Sequence, residues 1–132
     1  MDRRDVDSWL RGYVAAWKAY DREQIESLFA DDVSYRFHPY DEPVVGREAV
    51  VRAWLGESDH LGAPTRDDPG TYDADYTTVA VDGDLAVATG TSRYSPLPGA
   101  PADRVYHNCF LMRFDAAGRC REFTEWYIKR PH

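Results

Sequence analysis

The stretch Y-V-A-A-W-K-A-Y-D-R-E-Q-I-E-S-L-F-A-D-D, residues 13 to 32, holds two helical patterns separated by a cap. Trp9, Tyr13, Ala16, Trp17 and Tyr20 recur at three- and four-residue steps, so they share one face of a helix running from Ser8 to Ala19. Trp9, Tyr13 and Trp17 are expected to stack along that face. Asp21 followed by Gln24 has the form of a capping box, and Ile25, Leu28 and Phe29 then repeat with helical spacing. A short second helix is expected over about residues 22–30.

Working outward, Val33, Tyr35 and Phe37 alternate with Ser34, Arg36 and His38, a period of two that reads as a strand ending at Pro39. Gly46 opens a third helix, R-E-A-V-V-R-A-W-L, which closes near Gly56. Residues 58–70 are turn-rich and polar and read as a surface loop, the candidate for any gate over a cavity. Three turn signals follow: D-G-D at 82–84, P-L-P-G at 96–99 and D-A-A-G at 115–118. They separate β-rich runs at about 72–81, 85–95, 103–114 and 119–129. Helices first and an antiparallel meander afterwards make an α+β domain, with helices packed on one face of a curved sheet.

The 132 residues suit one domain, 1–132, with one core. At 43% hydrophobic and 14% aromatic the chain is far from a disordered composition, and its large rings must line something. A formal net charge of −7, with no Lys/Arg cluster, argues against nucleic acid as a partner. No apolar run approaches the roughly 18 residues of a membrane span, and M-D-R-R-D-V-D lacks the apolar core of a signal peptide, so a cytoplasmic location is expected. Cys109 and Cys120 have neither the number nor the spacing of a disulfide framework or a zinc site.

The element order, together with residues 13–32, resembles the nuclear transport factor 2-like superfamily and, more narrowly, its SnoaL-like branch. E-P-V-V-G-R-E-A-V at 42–50, V-D-G-D at 81–84 and F-T-E-W-Y at 123–127 fit the same resemblance. It implies a cone: a curved mixed or antiparallel sheet and three N-terminal helices enclosing a pocket. The family includes isomerases, dehydratases, epoxide hydrolases, polyketide cyclases and non-catalytic binders, so the fold does not name a reaction.

In the ketosteroid isomerases of this family a Tyr on the first helix and an Asp in the last-but-one strand donate hydrogen bonds to an oxyanion, while an Asp after the first strand moves the proton. By that resemblance Tyr13 falls on the oxyanion tyrosine, and its alternative is a packed helix-face Tyr. His38 falls on the proton-shuttling Asp if one residue is inserted in the strand. Strict alternation puts it opposite Tyr35 and Phe37, so reaching the cavity requires a bulge or a turn at Pro39; otherwise it anchors the loop through Asp41 or Glu42. Phe110 stands where the isomerases carry the Asp donor, which argues against steroid-type isomerisation.

A four-residue D-A-A-G loop would set Phe114 opposite Arg119, and hence Asn108 opposite Glu125, Phe110 opposite Phe123 and Tyr106 opposite Tyr127. The resemblance turns this face inward. Tyr106, Asn108, Phe110, Met112, Phe123 and Tyr127 then line a ligand wall with Glu125, joined by Trp17 and Tyr35. A carboxyl in such a wall titrates high unless a cation neutralises it. Glu125 is therefore the first candidate for a general acid or base, with His38 and Tyr13 beside it. The alternative is an ion pair of Glu125 with Arg93 or Arg36. The acidic runs at 65–68 and 73–75 read as solvated loop carboxylates, so no metal is expected, and no cofactor is implied.

The opposite faces carry His107, Cys109, Leu111, Thr124, Trp126 and Ile128, a partly apolar surface expected to form a homodimer. The expectation is a pocket protein for a small hydrophobic, polyketide- or steroid-like molecule, acting by proton transfer next to a carbonyl. The alternatives are a binding or sequestering module without chemistry, or a dimeric scaffold of the same fold.

Overall fold

A computed structural model describes residues 1–57 and 65–131. The first helix, α1 (Arg3–Ala19), begins earlier than its apolar periodicity suggests. Asp2 caps it, accepting from the Asp5 backbone N–H at 2.9 Å while the Asp5 carboxylate accepts from the Asp2 N–H at 3.0 Å. Tyr20 ends it in the left-handed region, at φ 47°. Helix α2 (Arg22–Leu28) is capped by Asp21, whose carboxylate accepts from Gln24 N–H at 3.2 Å. The chain passes directly from Leu28 into strand β1 (Phe29–Arg36), so Phe29 belongs to the strand rather than the helix. A two-residue strand, β2 (Val44–Val45), precedes α3 (Arg47–Trp54), which opens at Gly46 with φ 95°.

Four long strands follow at the expected places: β3 (Tyr72–Asp82), β4 (Leu85–Tyr94), β5 (Arg104–Phe114) and β6 (Cys120–Lys129). They form one mixed six-stranded sheet in the order β2-β1-β6-β5-β4-β3, in which β1 runs parallel to β6 and all other neighbours are antiparallel. The sheet is open, with β2 and β3 at its edges. α1 covers the β3 edge region: Arg3 donates to the Thr78 carbonyl at 2.7 Å, and the Asp7 carboxylate accepts from Thr78 N–H at 3.0 Å. These bonds fall where the β3–β4 register shifts, so the irregular edge is satisfied rather than left for another strand.

The β5–β6 register differs from the sequence expectation by two residues. Phe114 faces Cys120 and Arg113 faces Glu122, so the turn holds one residue more than a four-residue loop and Arg121 is bulged out. The bulge is fastened by charge: Asp84 accepts from Arg121 at 2.6 Å and from Arg113 at 3.2 Å. Asn108 therefore faces Tyr127, Phe110 faces Glu125 and Tyr106 faces Lys129. A slip of two keeps every side chain on its expected face.

The inward face of β4 is built small, with Ala86, Ala88, Gly90 and Ser92. A Cβ at Gly90 would meet the Asp75 carbonyl and come within 2.8 Å of Tyr76 Cα, so this position admits only glycine. The space left by these residues is taken by rings from β3 and α1. Trp9 lies 5.5 Å from Phe114 and 6.1 Å from Phe123, filling the narrow end of the cone.

Candidate active site

The wide end of the cone is hollow. An inner chamber of about 140 Å³ opens into a vestibule of about 370 Å³, and the two share Phe37, Asp67, Ser92, Tyr94 and Glu125. The inner volume is close to the ~150 Å³ of a benzene-binding protein cavity, so it accepts a group of about one ring. Anything polycyclic must extend into the vestibule.

α1 brings Tyr13 and Trp17 to the chamber, as their spacing predicts, but the three rings do not form one stack. Trp9 and Tyr13 are 5.6 Å apart, whereas Trp17 packs on Tyr72 at 4.6 Å. Tyr13 and Tyr35 place their hydroxyls 3.5 Å apart in the interior. Burial pushes both phenols upward, further raised by the nearby Glu125 carboxylate, so they remain protonated donors. Trp54 from α3 adds a buried indole N–H to the lining, with no hydrogen-bond partner within bonding distance among the described residues.

On the sheet side, Asn108 Nδ2 donates to Glu125 Oε2 at 2.7 Å, and Asn108 Oδ1 accepts from Ser92 Oγ at 2.9 Å. Glu125 has no Arg, Lys or His partner among the described residues. Arg93 turns to the opposite face, onto Asp75 at 2.8 Å, and Arg36 donates to the Asp41 carbonyl. Burial lifts the Glu125 carboxyl from the ordinary 4.5 to about 7, with the Asn108 bond opposing the shift. The alternative ion pair with Arg93 or Arg36 is not formed, and the half-buried acid is held by a neutral amide.

His38 stands in the vestibule. β1 ends at Arg36, so strict alternation no longer governs the side chain, and a turn in which Asp41 N–H donates to the His38 carbonyl swings it to the mouth. Its Nδ1 lies 2.8 Å from Asp41 Oδ2 and its Nε2 lies 2.8 Å from the Tyr127 hydroxyl. In the tautomer that donates its Nδ1–H to Asp41, His38 accepts a hydrogen bond from the Tyr127 hydroxyl at Nε2. His38 therefore anchors the loop and also faces the entrance, where Tyr106, Asn108 and Tyr127 are its neighbours in the lining.

Three expected ligand contacts lie behind the lining instead of in it. Phe110 and Met112 are 0% exposed and Phe123 1%, and they form packed core under the chamber. Phe110 supports Tyr76 at 4.5 Å, and Phe123 stacks on Tyr35 at 4.6 Å. The cone narrows toward Phe114, so inward residues there meet α1 and not open space.

Asp67 was not expected here. Its Oδ2 accepts from Trp17 Nε1 at 3.1 Å and lies 3.4 Å from the Tyr20 hydroxyl, while the Asp67 N–H donates to that hydroxyl at 2.8 Å. Burial raises its carboxyl above the usual range. In sequence it belongs to an acidic turn segment, and nothing local marks it as buried. Residues 58–64 of the expected gating loop lie outside the described residues. No group of three or more potential metal ligands stands together among the described residues.

Fold and cavity together define a cone-shaped α+β domain with three helices on a six-stranded sheet and a hollow at its wide end. Residues 10–123 match the SnoaL-like domain model, and the chain belongs to that family. Among solved structures it is similar to a ketosteroid isomerase candidate from Kribbella flavida DSM 17836, at 18% identity and TM-score 0.66, covering 99% of this chain and 83% of that one. An NTF-2 like protein of unknown function from Burkholderia xenovorans LB400 aligns at 16% identity and TM-score 0.65, covering 98% and 87%. No curated protein matches the chain. At these identities the likeness concerns the fold.

Proposed function

We propose that the chain is a cofactor-independent acid/base catalyst that moves a proton next to a carbonyl in a small, largely apolar compound. The observation that carries this reading is Glu125: a carboxyl in an aromatic cavity, titrating at about 7, with no cationic partner among the described residues. An acid poised near neutral pH serves as base in one half-reaction and acid in the other. The C–H bond beside the carbonyl breaks, its proton passes to Glu125, and the electron pair moves onto the oxygen. Neutral donors suit that developing enolate, and the Tyr13 and Tyr35 hydroxyls with the Trp54 N–H supply them. The proton then returns from Glu125 to the same or a conjugated carbon.

A polyketide- or steroid-like substrate fits with one ring in the chamber and the remainder in the vestibule, where His38 and Tyr127 meet its polar substituents. The test uses cyclohexanone as a one-ring probe, following exchange of its α-protons for solvent deuterium by NMR. Wild type is expected to accelerate exchange over buffer, and Glu125→Gln to lower the enzymatic rate by about 10²-fold or more. Equal rates in the two proteins overturn Glu125 as the acid/base group.

The second reading is a binding module, favoured by Phe110 in place of the isomerases' second oxyanion donor; it predicts that cyclohexanone binds without exchange. In either case a second copy is the proposed partner for the outer sheet face, where Ile128 is 74% and Trp126 41% exposed beside Leu111. Among the described residues no helix is long and apolar enough to cross a membrane.

A further inference from the structure

We infer that the inner chamber selects an organic ammonium, a protonated or quaternary amine carried on a ring-sized apolar group. This deepens the preceding reading and rests on the chamber being the ligand site. The described lining of the chamber consists of eight aromatic side chains, two carboxylates, one serine and one threonine. Lys, Arg and His are absent from that described set. Aromatic faces carry the negative part of the ring quadrupole, and such cages hold ammonium groups.

The two carboxylates come from different walls. Glu125 stands on β6, on the sheet side, and Asp67 on the segment that closes against the end of α1. Each is held through one oxygen: Glu125 Oε2 by Asn108, and Asp67 Oδ2 by Trp17 and Tyr20. Among the described residues no hydrogen bond reaches Glu125 Oε1 or Asp67 Oδ1. A neutral ligand enters with Glu125 protonated and gains nothing from the acids' charge, whereas a permanent anion such as a carboxylate is repelled once they ionise. A cation gives the ionised acids a counter-charge inside aromatic walls.

Arg104 bears on Asp67 through space, but neither it nor Arg66 hydrogen-bonds Asp67 or Glu125 among the described residues. Arg66 donates to the Leu55 carbonyl at 2.7 Å and lies over the Tyr20 ring at 5.4 Å. Arg104, on the vestibule side, lies over Tyr94 at 5.2 Å and approaches Asp103 at 3.5 Å. Two wall rings thus already receive a guanidinium, which is the interaction proposed for the ligand.

Calorimetry at about pH 8 with benzylamine, benzyl alcohol and benzoate separates the possibilities, since an alkylamine is protonated there and all three carry the same ring. Benzylamine is expected to bind tighter than benzyl alcohol by about tenfold or more, with benzoate the weakest. Asp67→Asn and Glu125→Gln, both isosteric, should each reduce that preference, and the double variant should abolish it. Equal or tighter binding of benzyl alcohol, or tightest binding of benzoate, overturns the ammonium inference and leaves the acid/base reading to the deuterium-exchange test. Preference for benzylamine without any cyclohexanone exchange supports the inference and rejects catalysis. Failure of all three probes to bind overturns the chamber as a ligand site.

Discussion

Asn108 and Glu125 meet on the diagonal of β5 and β6, with the amide Nδ2 2.7 Å from the carboxylate Oε2, although the residues directly opposite them are Tyr127 and Phe110. The diagonal leaves Asn108 able to accept from Ser92 at 2.9 Å with its other atom, which fixes which end of the amide faces the acid. Removing the amide should therefore release the one contact that favours the ionised form of Glu125. Asn108→Ala is expected to move the acidic limb of a pH–rate profile upward by about one pH unit, a hydrogen bond to a charged group being worth ~1.5–3 kcal/mol.

Stability should carry the same signature. Glu125 titrates at about 7 in the folded chain against 4.5 ordinarily, so between those values the native state holds the extra proton and stability falls as pH rises. The loss is nearly complete by about pH 7 and amounts to on the order of 3 kcal/mol. Glu125→Gln keeps the Asn108 contact without the ionisation, and should raise the melting temperature at pH 8 while leaving it nearly unchanged at pH 4. Asp67, also raised by burial, stays in both proteins, so the wild-type minus variant difference isolates Glu125.

The core beneath the chamber is expected to respond through folding. Phe110 is fully buried against Tyr13, Tyr76 and Phe123, with ring separations of 5.4, 4.5 and 4.9 Å. Phe110→Ala should cost about 3–5 kcal/mol in urea denaturation. Tyr13→Phe removes only a hydroxyl at the lining; it should leave stability within about 1 kcal/mol and slow cyclohexanone exchange by ~10-fold or more.

For the outer sheet face, sedimentation should find a homodimer in wild type and a monomer in Trp126→Glu combined with Ile128→Glu. A monomeric wild type would remove the second copy as partner.

The fold was legible because its signals are local and repeat. Asp21, Gly46, the D-G-D turn and the alternation of Tyr106, Asn108, Phe110 and Met112 each act through neighbours in sequence, and faces survive a register slip of two. The slip itself was not legible, since the Arg121 bulge is held by Asp84 from another hairpin. Glu125 and Tyr13 could be placed at a cavity by parity and helix spacing. Tyr76, Ser92 and Tyr94 could have been placed too, had the small inward run of β4 been read as the floor facing larger rings. Asp67 could not: its burial depends on Trp17 and Tyr20, about 50 residues earlier, and its own surroundings in sequence have the polarity of an exposed loop.

The account depends on an acid kept unpaired in an aromatic hollow, and the direct measurement is the titration of the Glu125 side-chain carboxyl by ¹³C NMR in the ligand-free protein, assigned with Glu125→Gln. A midpoint near 7 is predicted. A midpoint at or below the ordinary 4.5 would mean that a cation or solvent already attends the carboxylate, and would contradict it.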